Sequence, residues 1–244
     1  MRMFNFAKRN FKEIIRDPLS IIFAVLLPLL LLFVFQQLNI PSESYELHNF
    51  TPGIVVFGFS FITLFSAMLV SKDRTSSLLI RLGISPMKAA DYILGYMLSI
   101  VPIIILQNVL FFILAIVLGL KMSMYIVYAA LVSVVIAVLF IALGIIIGSL
   151  VSEKAASGIS SIVVQLVCFT SGMYFPREML GKGFAKVCEY LPFESCVSII
   201  KGVMNQDAGS ITLRNIIVFA VYTVIIFVLA IVIFKKKMLS DNKA

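Results

Sequence analysis

Residues 72–91 read KDRTSSLLIRLGISPMKAAD, a charged stretch between two long apolar runs. Four of the chain's 20 Lys and Arg residues lie in it. Gly83 is suited to ending a short helix over about 73–82. Ser85 followed by Pro86 is suited to capping and beginning the next helix, which continues into a long apolar one. The stretch therefore predicts a helical segment outside the membrane, placed between two spans.

The predicted short helix has an apolar face. Leu78, Leu79 and Leu82 fall at i, i+1, i+4 spacing, which puts them on one side of the helix. A loop that only joins two spans needs neither a helix nor an apolar face. The stretch therefore indicates a cytosolic segment on which another protein docks. An ordinary positively charged loop with one helical turn is the alternative.

The composition is that of an integral membrane protein. Apolar residues make up 61% of the 244 residues, the mean hydropathy is +1.09, and 13% of residues are charged. These values lie far outside soluble averages. The net charge of +8 does not call for nucleic acid, because Lys and Arg collect at the cytosolic ends of spans and meet anionic lipid there.

The hydropathy pattern predicts an all-α membrane protein with a single domain over residues 1–244. Residues 1–18 form a basic amphipathic helix at the membrane interface or on a partner's surface, and Asp17 and Pro18 begin the first span. The six predicted spans are 19–38, 51–71, 92–120, 124–151, 155–175 and 213–234. Of the Lys and Arg residues, 14 lie on the side of the termini and six on the other. Both termini are therefore expected in the cytosol.

The segment 176–212 is predicted to lie on the outer face. Its apolar residues recur at helical spacing on both sides of Leu191 and Pro192, which indicates two short amphipathic helices with a bend between them. They either dip into the outer leaflet or cap a cavity, and helices lying passively at the interface are the alternative. Cys188 and Cys196 flank the bend, so a disulfide there competes with two free thiols.

The missing motifs narrow the function. The interiors of the predicted spans contain no Asp, Glu, Lys, Arg or His, and Arg214 lies at the outer end of the sixth. Transporters driven by protons or ions usually need such groups at membrane depth. The chain has no HExxH, GxSxG or GxxxxGK[ST] motif. We therefore expect no enzyme activity, no metal and no bound cofactor, so the energy for active transport must come from a partner.

Polar residues inside the spans are few. Gln107 and Asn108 lie in the third predicted span and Gln165 in the fifth. Such amides either tie helices together by hydrogen bonds or line a substrate path. Gly144 and Gly148 form a small-xxx-small pair, which predicts close packing of the fourth span on a neighbour.

The order of these features resembles the membrane subunit of a type 2 ABC exporter, and the resemblance covers essentially the whole chain. It includes the basic helix, the Asp-Pro start of the first span, and the stretch SKDRTSSLLIRLGISPMKAADYILGY. Its most specific part is SGMYFPREML at 171–180, followed by LPFESCVSIIKGV.

The resemblance implies six spans per subunit, a dimer of two copies or of two related permeases, and a separate ATP-binding subunit that holds ATP and Mg. It implies a coupling helix over 72–85, with contact residues Arg74, Leu78, Leu79, Arg81 and Leu82. It implies an interface helix with Phe4, Lys8, Phe11, Lys12 and Ile15. Spans one, two and five then line the route, which favours Gln165 as a path residue beside Gln107 and Asn108. The predicted outer cap comprises Phe175, Pro176 and Pro192.

The expected function is thus ATP-driven export of a hydrophobic or amphipathic substrate, such as a drug, a peptide or a lipid-like molecule, across a bacterial plasma membrane. Partners are the ATP-binding subunit, a second permease and membrane lipid, without nucleic acid. A passive channel and a scaffold subunit without transport activity are the alternatives. An ATPase encoded beside the chain would favour the exporter.

Overall fold

The computed structural model describes residues 2–38, 40–76, 87–172, 181–207, 209 and 211–241. Every regular element in these ranges is helical, which confirms the predicted all-α class. A short 3₁₀ turn, Glu43–Tyr45, precedes the third helix. The helices are α1 (Arg2–Ile15), α2 (Pro18–Gln37), α3 (Leu47–Thr75), α4 (Ala89–Val117), α5 (Met124–Leu150), α6 (Glu153–Thr170), α7 (Lys182–Tyr190), α8 (Pro192–Asn205) and α9 (Leu213–Asp241).

Helix α3 lies at the centre of the fold. Helices α2, α4, α5, α6 and α8 all contact it. Its Ile54, Val55 and Ile62 are completely buried, as expected for a helix that is apolar on most sides and surrounded by other helices. Helix α1 packs on α4, and α9 packs on α4, α5 and α8. Because α3 contacts five other helices of the described part of the chain, its two ends and its faces position side chains that join the helices of the fold.

Helices α3 and α5 pack closely because two glycines of α5 face α3. A Cβ atom at Gly144 would lie 2.4 Å from the main-chain oxygen of Thr63, and one at Gly148 would lie 2.4 Å from that of Ala67. The Thr63 hydroxyl also donates to the Phe140 carbonyl of α5 at 3.0 Å. The contact confirms the predicted close packing at this glycine pair, in which small residues let two backbones approach each other.

Within the part of the chain that the structure describes, four helices are long and apolar enough to cross a membrane, namely α3, α4, α5 and α9 up to Lys237. Helix α2 adds a shorter apolar stretch, Ala24–Gln37. By the length and composition of its helices, the chain is a multi-pass membrane protein. The count of six spans and the cytosolic location of the termini stay predictions.

Helix α4 begins at Ala89, so Met87 and Lys88 are not part of it. The Lys88 N–H donates to the Asp91 carboxylate at 2.8 Å, and this bond fixes the start of the helix. The sequence instead predicted one continuous helix from a cap at Ser85 and Pro86, which lie outside the described residues. That prediction was wrong about where the long helix starts, because the Asp91 carboxylate caps the helix at Lys88.

Helix α6 ends at Thr170, earlier than the predicted end of the fifth span at Phe175. The Ser171 N–H still donates to the Val167 carbonyl at 2.9 Å, and Gly172 then adopts a left-handed φ of 73°. Glycine adopts this conformation without a steric penalty and commonly follows the last helical turn. The helix therefore ends before the predicted boundary, because Gly172 follows its last turn, well ahead of Pro176.

Two short helices, α7 and α8, occupy the segment before α9. Leu191 between them is extended, with φ −80° and ψ 147°, and Pro192 is the first residue of α8. This confirms the predicted break. Helix α8 contacts α3, α5 and α9, and its Phe193 and Ile200 are buried in the main core. Helix α8 is therefore an integral part of the fold and not a passive surface helix.

All three cysteines, Cys168, Cys188 and Cys196, are buried, and no disulfide joins any two of them. The disulfide that the sequence left open between Cys188 and Cys196 is not formed.

Candidate functional site

A buried ion pair joins α1 to the end of α3. Arg9 Nη1 lies 2.7 Å from Asp73 Oδ1, and the Asp73 side chain is 1% exposed. Tyr96 of α4 donates its hydroxyl to the other carboxylate oxygen at 2.8 Å. A buried charge is tolerated when it is paired and hydrogen-bonded. Asp73 meets both conditions and connects three helices.

Two further ion pairs extend this connection toward the surface. Arg9 Nη2 lies 2.6 Å from Glu13 Oε2, and Lys72 Nζ lies 3.0 Å from Glu13 Oε1. Arg9, Glu13, Lys72, Asp73 and Tyr96 are called the charged network below. Positive and negative groups alternate across it, so each carboxylate has a cation on at least one side. The network fixes the orientation of α1 relative to α3 and α4.

The residues predicted for the interface helix mostly face outward. Phe4 and Ile15 are 60% and 53% exposed, Lys8 and Lys12 are also exposed, and Phe11 is partly buried. The residues of α1 that are buried against the rest of the fold are different ones, Phe6, Ala7, Asn10 and Ile14. The predicted amphipathicity is therefore present, but the outer face combines apolar and basic side chains.

Arg74 at the end of α3 bonds within its own subunit. Its Nη1 donates to the carbonyls of Gly148 at 3.2 Å and Ser149 at 2.5 Å. Carbonyls in the last turn of a helix lack partners from that helix and favour a nearby cation. Arg74 therefore caps the end of α5.

Helix α3 runs to Thr75, so the first residues of the coupling helix predicted over 72–85, Lys72 to Thr75, belong to α3. That part of the prediction was wrong, because the apolar run and the charged residues after it form one continuous helix. The other predicted contact residues, Leu78, Leu79, Arg81 and Leu82, lie outside the described residues.

An apolar groove of about 630 Å³ lies between α2, α3 and α6. Gln165, Ser161 and Cys168 are its polar residues, and no charged side chain of the described part of the chain lines it. The apolar lining residues are Leu27, Leu31, Phe57, Phe61, Leu64, Val164 and Phe169. Gln165 is exposed, so the structure brings this predicted path residue to the groove.

The other two predicted path residues lie elsewhere. Gln107 is completely buried and Asn108 is 2% exposed, and neither lines the groove. Gln107 Nε2 donates to the Ala24 carbonyl of α2 at 3.3 Å. Gln107 therefore makes the helix-to-helix bond that was the alternative to a place on the path.

The predicted outer cap is described only in part. Pro192 is the buried first residue of α8, and Phe175 and Pro176 lie outside the described residues.

The sequence alone did not predict that the residues of the charged network come together. An acidic residue three positions after an apolar run, as Asp73 is after Val70, was the signal that a partner from another helix should be sought.

The sequence model of the family described as ABC-2 type transporter matches residues 2–205, which contain α1 to α8. No curated protein sequence matches the chain. The match covers most of the 244 residues and agrees with the multi-pass helical fold. The chain therefore belongs to the ABC-2 type transporter family, the membrane permease components of ABC transporters.

Proposed function

We propose that the chain is the permease subunit of an ATP-driven exporter, and that the apolar groove is its share of the substrate route. The groove is the observation that carries the proposal. It runs between three helices, holds about 630 Å³, and presents the Gln165 amide, the Ser161 hydroxyl and the Cys168 thiol on a mostly apolar wall. Binding sites for drug-sized ligands are concave and mostly apolar with a few polar groups, and the groove fits this description.

The lining favours a hydrophobic or amphipathic substrate. Aromatic side chains at Phe57, Phe61 and Phe169 offer apolar area, while Gln165 and Ser161 can donate or accept single hydrogen bonds. A strongly charged substrate would lose its hydration and find no opposite charge among the described lining residues. We therefore place drugs, hydrophobic peptides and lipid-like molecules ahead of ions.

A second permease is needed to close the route. The groove is not an enclosed cavity, and α6 beside it presents apolar side chains outward, with Ile162 66% and Phe169 45% exposed. A second copy of this chain, or a related permease, would cover this side in the plasma membrane and double the groove.

The energy would come from a separate subunit that binds ATP and Mg. In this proposal that subunit docks on the segment after α3 and on the outer face of α1. The charged network supports this arrangement, because Arg9 and Asp73 join α1 to α3 at 2.7 Å. A displacement of either docking element is thereby passed on to the other.

Transport in sealed vesicles tests the substrate route. The chain and its ATP-binding subunit are reconstituted together, and uptake of a cationic dye, a short hydrophobic peptide and a fluorescent phospholipid is followed with and without ATP. Leu31→Trp narrows the groove and should lower ATP-driven uptake several-fold. Leu30→Trp is the matched control, because Leu30 is 52% exposed and does not line the groove. Equal uptake by both variants, or uptake without ATP, would contradict the proposal.

A copurification experiment tests the coupling to ATP. Burying a leucine stabilises a contact by about 1.5 to 3 kcal/mol, and central apolar contacts dominate most interfaces. Replacing Leu79 and Leu82 together by Asp should therefore strip the ATP-binding subunit from the tagged chain without lowering its level in the membrane. Normal recovery of that subunit at normal membrane levels would remove residues 77–86 from the coupling contact.

A further inference from the structure

The bond from Gln107 to α2 ends on a carbonyl that its own helix cannot satisfy. Gln107 Nε2 donates to the Ala24 oxygen, and Ala24 stands four residues before Pro28, which lies inside α2. In an α-helix that oxygen accepts from the N–H of residue 28. Proline has no N–H, so the oxygen is released from the helical ladder. Gln107 of α4 supplies the missing donor.

A second proline shows the same arrangement. Pro52 lies inside α3, and the carbonyl that it releases is that of His48. Asn205, the last residue of α8, donates its Nδ2 to this oxygen at 3.1 Å. The side-chain amides of Gln107 and Asn205 thus both form hydrogen bonds to helices that are far away in the described sequence. In each bond the acceptor is a carbonyl that a proline has released from its helical hydrogen bond. A buried released carbonyl in hydrocarbon, such as that of Ala24, needs a partner from a neighbouring helix.

The Gln107 side chain has one hydrogen-bond partner in the described part of the chain, the Ala24 carbonyl. A Cβ atom at Gly58 would lie 2.5 Å from Gln107 Nε2, so Gly58 provides the room for the amide beside α3. Gln107 Oε1 has no hydrogen-bond partner in the described part of the chain, and neither do the amide atoms of the adjacent Asn108. The bond to Ala24 is therefore the contact that gives the Gln107 amide its place.

We propose that Gln107 is a positioning residue for the substrate route, acting through α2. The break in the α2 ladder at Pro28 lies between Leu27 and Leu31, which both line the apolar groove. Gln107 holds α2 to α4 at that break. It thereby determines the position of the part of α2 that carries Leu31 and lines the groove. The inference rests on the proposed function only in taking the groove as the route.

A double-mutant cycle tests the pairing. Gln107→Met removes the donor at similar length, and Pro28→Ala restores the N–H that can bond to Ala24. The midpoint of thermal unfolding of the purified full-length chain in detergent is measured for each. We expect Gln107→Met to lower the midpoint by about 2–4 °C more with Pro28 than with Pro28→Ala. Equal shifts in the two backgrounds would overturn the proposal.

The second proline provides the matched control. Gln107→Met combined with Pro52→Ala should give additive shifts, because Pro52 releases a different carbonyl. Asn205→Leu should be coupled to Pro52→Ala instead. If Gln107→Met alone prevents folding, recovery of the folded protein by adding Pro28→Ala supports the pairing, and failure to recover it contradicts the pairing.

A cross-linking measurement separates positioning from stability alone. With Cys188 and Cys196 replaced by Ala, a Leu31→Cys variant and native Cys168 stand on the walls of the groove, and a short bifunctional thiol reagent reports their separation in native membranes. Gln107→Met should change the cross-linking rate several-fold with Pro28 and leave it unchanged with Pro28→Ala. An unchanged rate in both backgrounds overturns the positioning role. Because neither measurement uses transport, failure of the proposed function would show up separately, in the vesicle assay.

Discussion

Replacing Arg9 by methionine should destabilise the protein through the carboxylate that it leaves behind. The substitution keeps most of the apolar stem of the side chain and removes the guanidinium 2.7 Å from Asp73 Oδ1. Asp73 then retains the Tyr96 hydroxyl at 2.8 Å as its hydrogen-bond donor. Its negative charge is left buried without the cation that faced it.

The expected loss is about 2 kcal/mol. Removing one partner of a fully buried ion pair costs about 3–5 kcal/mol, but the Arg9 side chain is 38% exposed, so solvent already screens part of the attraction. The remaining bond from Tyr96 lowers the cost further, because hydrogen bonds to charged groups stabilise by about 1.5–3 kcal/mol. For a chain of this length, about 2 kcal/mol corresponds to a midpoint shift of about 4–8 °C.

Thermal unfolding of the purified chain in detergent measures the shift. Lys8→Met is the matched control, because it removes the same charge from an exposed position on the same helix, and it should move the midpoint by less than about 2 °C. Adding Asp73→Asn to Arg9→Met should recover at least half of the loss, since no charge is then left unpaired. A midpoint for Arg9→Met within error of the Lys8→Met value would show that the Arg9–Asp73 pair does not stabilise the fold.

Three other predictions address packing, thiols and orientation. Gly144→Ala should lower the thermal midpoint because its Cβ meets the α3 backbone, whereas Gly158→Ala should leave it unchanged, since nothing lies within 4 Å of a Cβ there; similar shifts would contradict the packing of α3 on α5. After denaturation without reductant, all three cysteines should react with a thiol reagent, because no disulfide joins them, and a mass matching one disulfide would contradict this. In a cysteine-free background, a membrane-impermeant reagent added to intact cells should label Ser42→Cys and spare Ser240→Cys; labelling at Ser240→Cys would reverse the predicted orientation.

The helices could be predicted from sequence because their ends carry local signals. Asp17 and Pro18 mark the start of α2, and Ser123 before α5 accepts a hydrogen bond from the Tyr125 N–H at 3.3 Å. Such signals act over three or four residues and need no knowledge of the rest of the fold. The α6 boundary was missed where two signals competed, Gly172 and Pro176, and the sequence does not rank them.

The residues that join the helices could not be predicted in the same way. Arg9 and Asp73 are 64 positions apart, and Gln107 and Ala24 are 83 apart. Whether two such residues meet depends on the rotation of each helix about its axis, which is decided by packing against several neighbours. A proline inside an apolar helix predicts that a carbonyl needs a donor, but it does not say which helix supplies it.

The bonds between α3 and α5 have a mechanical consequence. Arg74 clasps the last turn of α5, and Thr63 ties the two backbones together farther along. A displacement of the end of α3 therefore acts on both helices, each of which is about 40 Å long. Neither helix can slide along the other without breaking or stretching these hydrogen bonds. Helices α3 and α5 both also contact α8. We therefore expect the two helices to move together, so that a displacement at the end of α3 would also displace α5 and α8, which both pack against it.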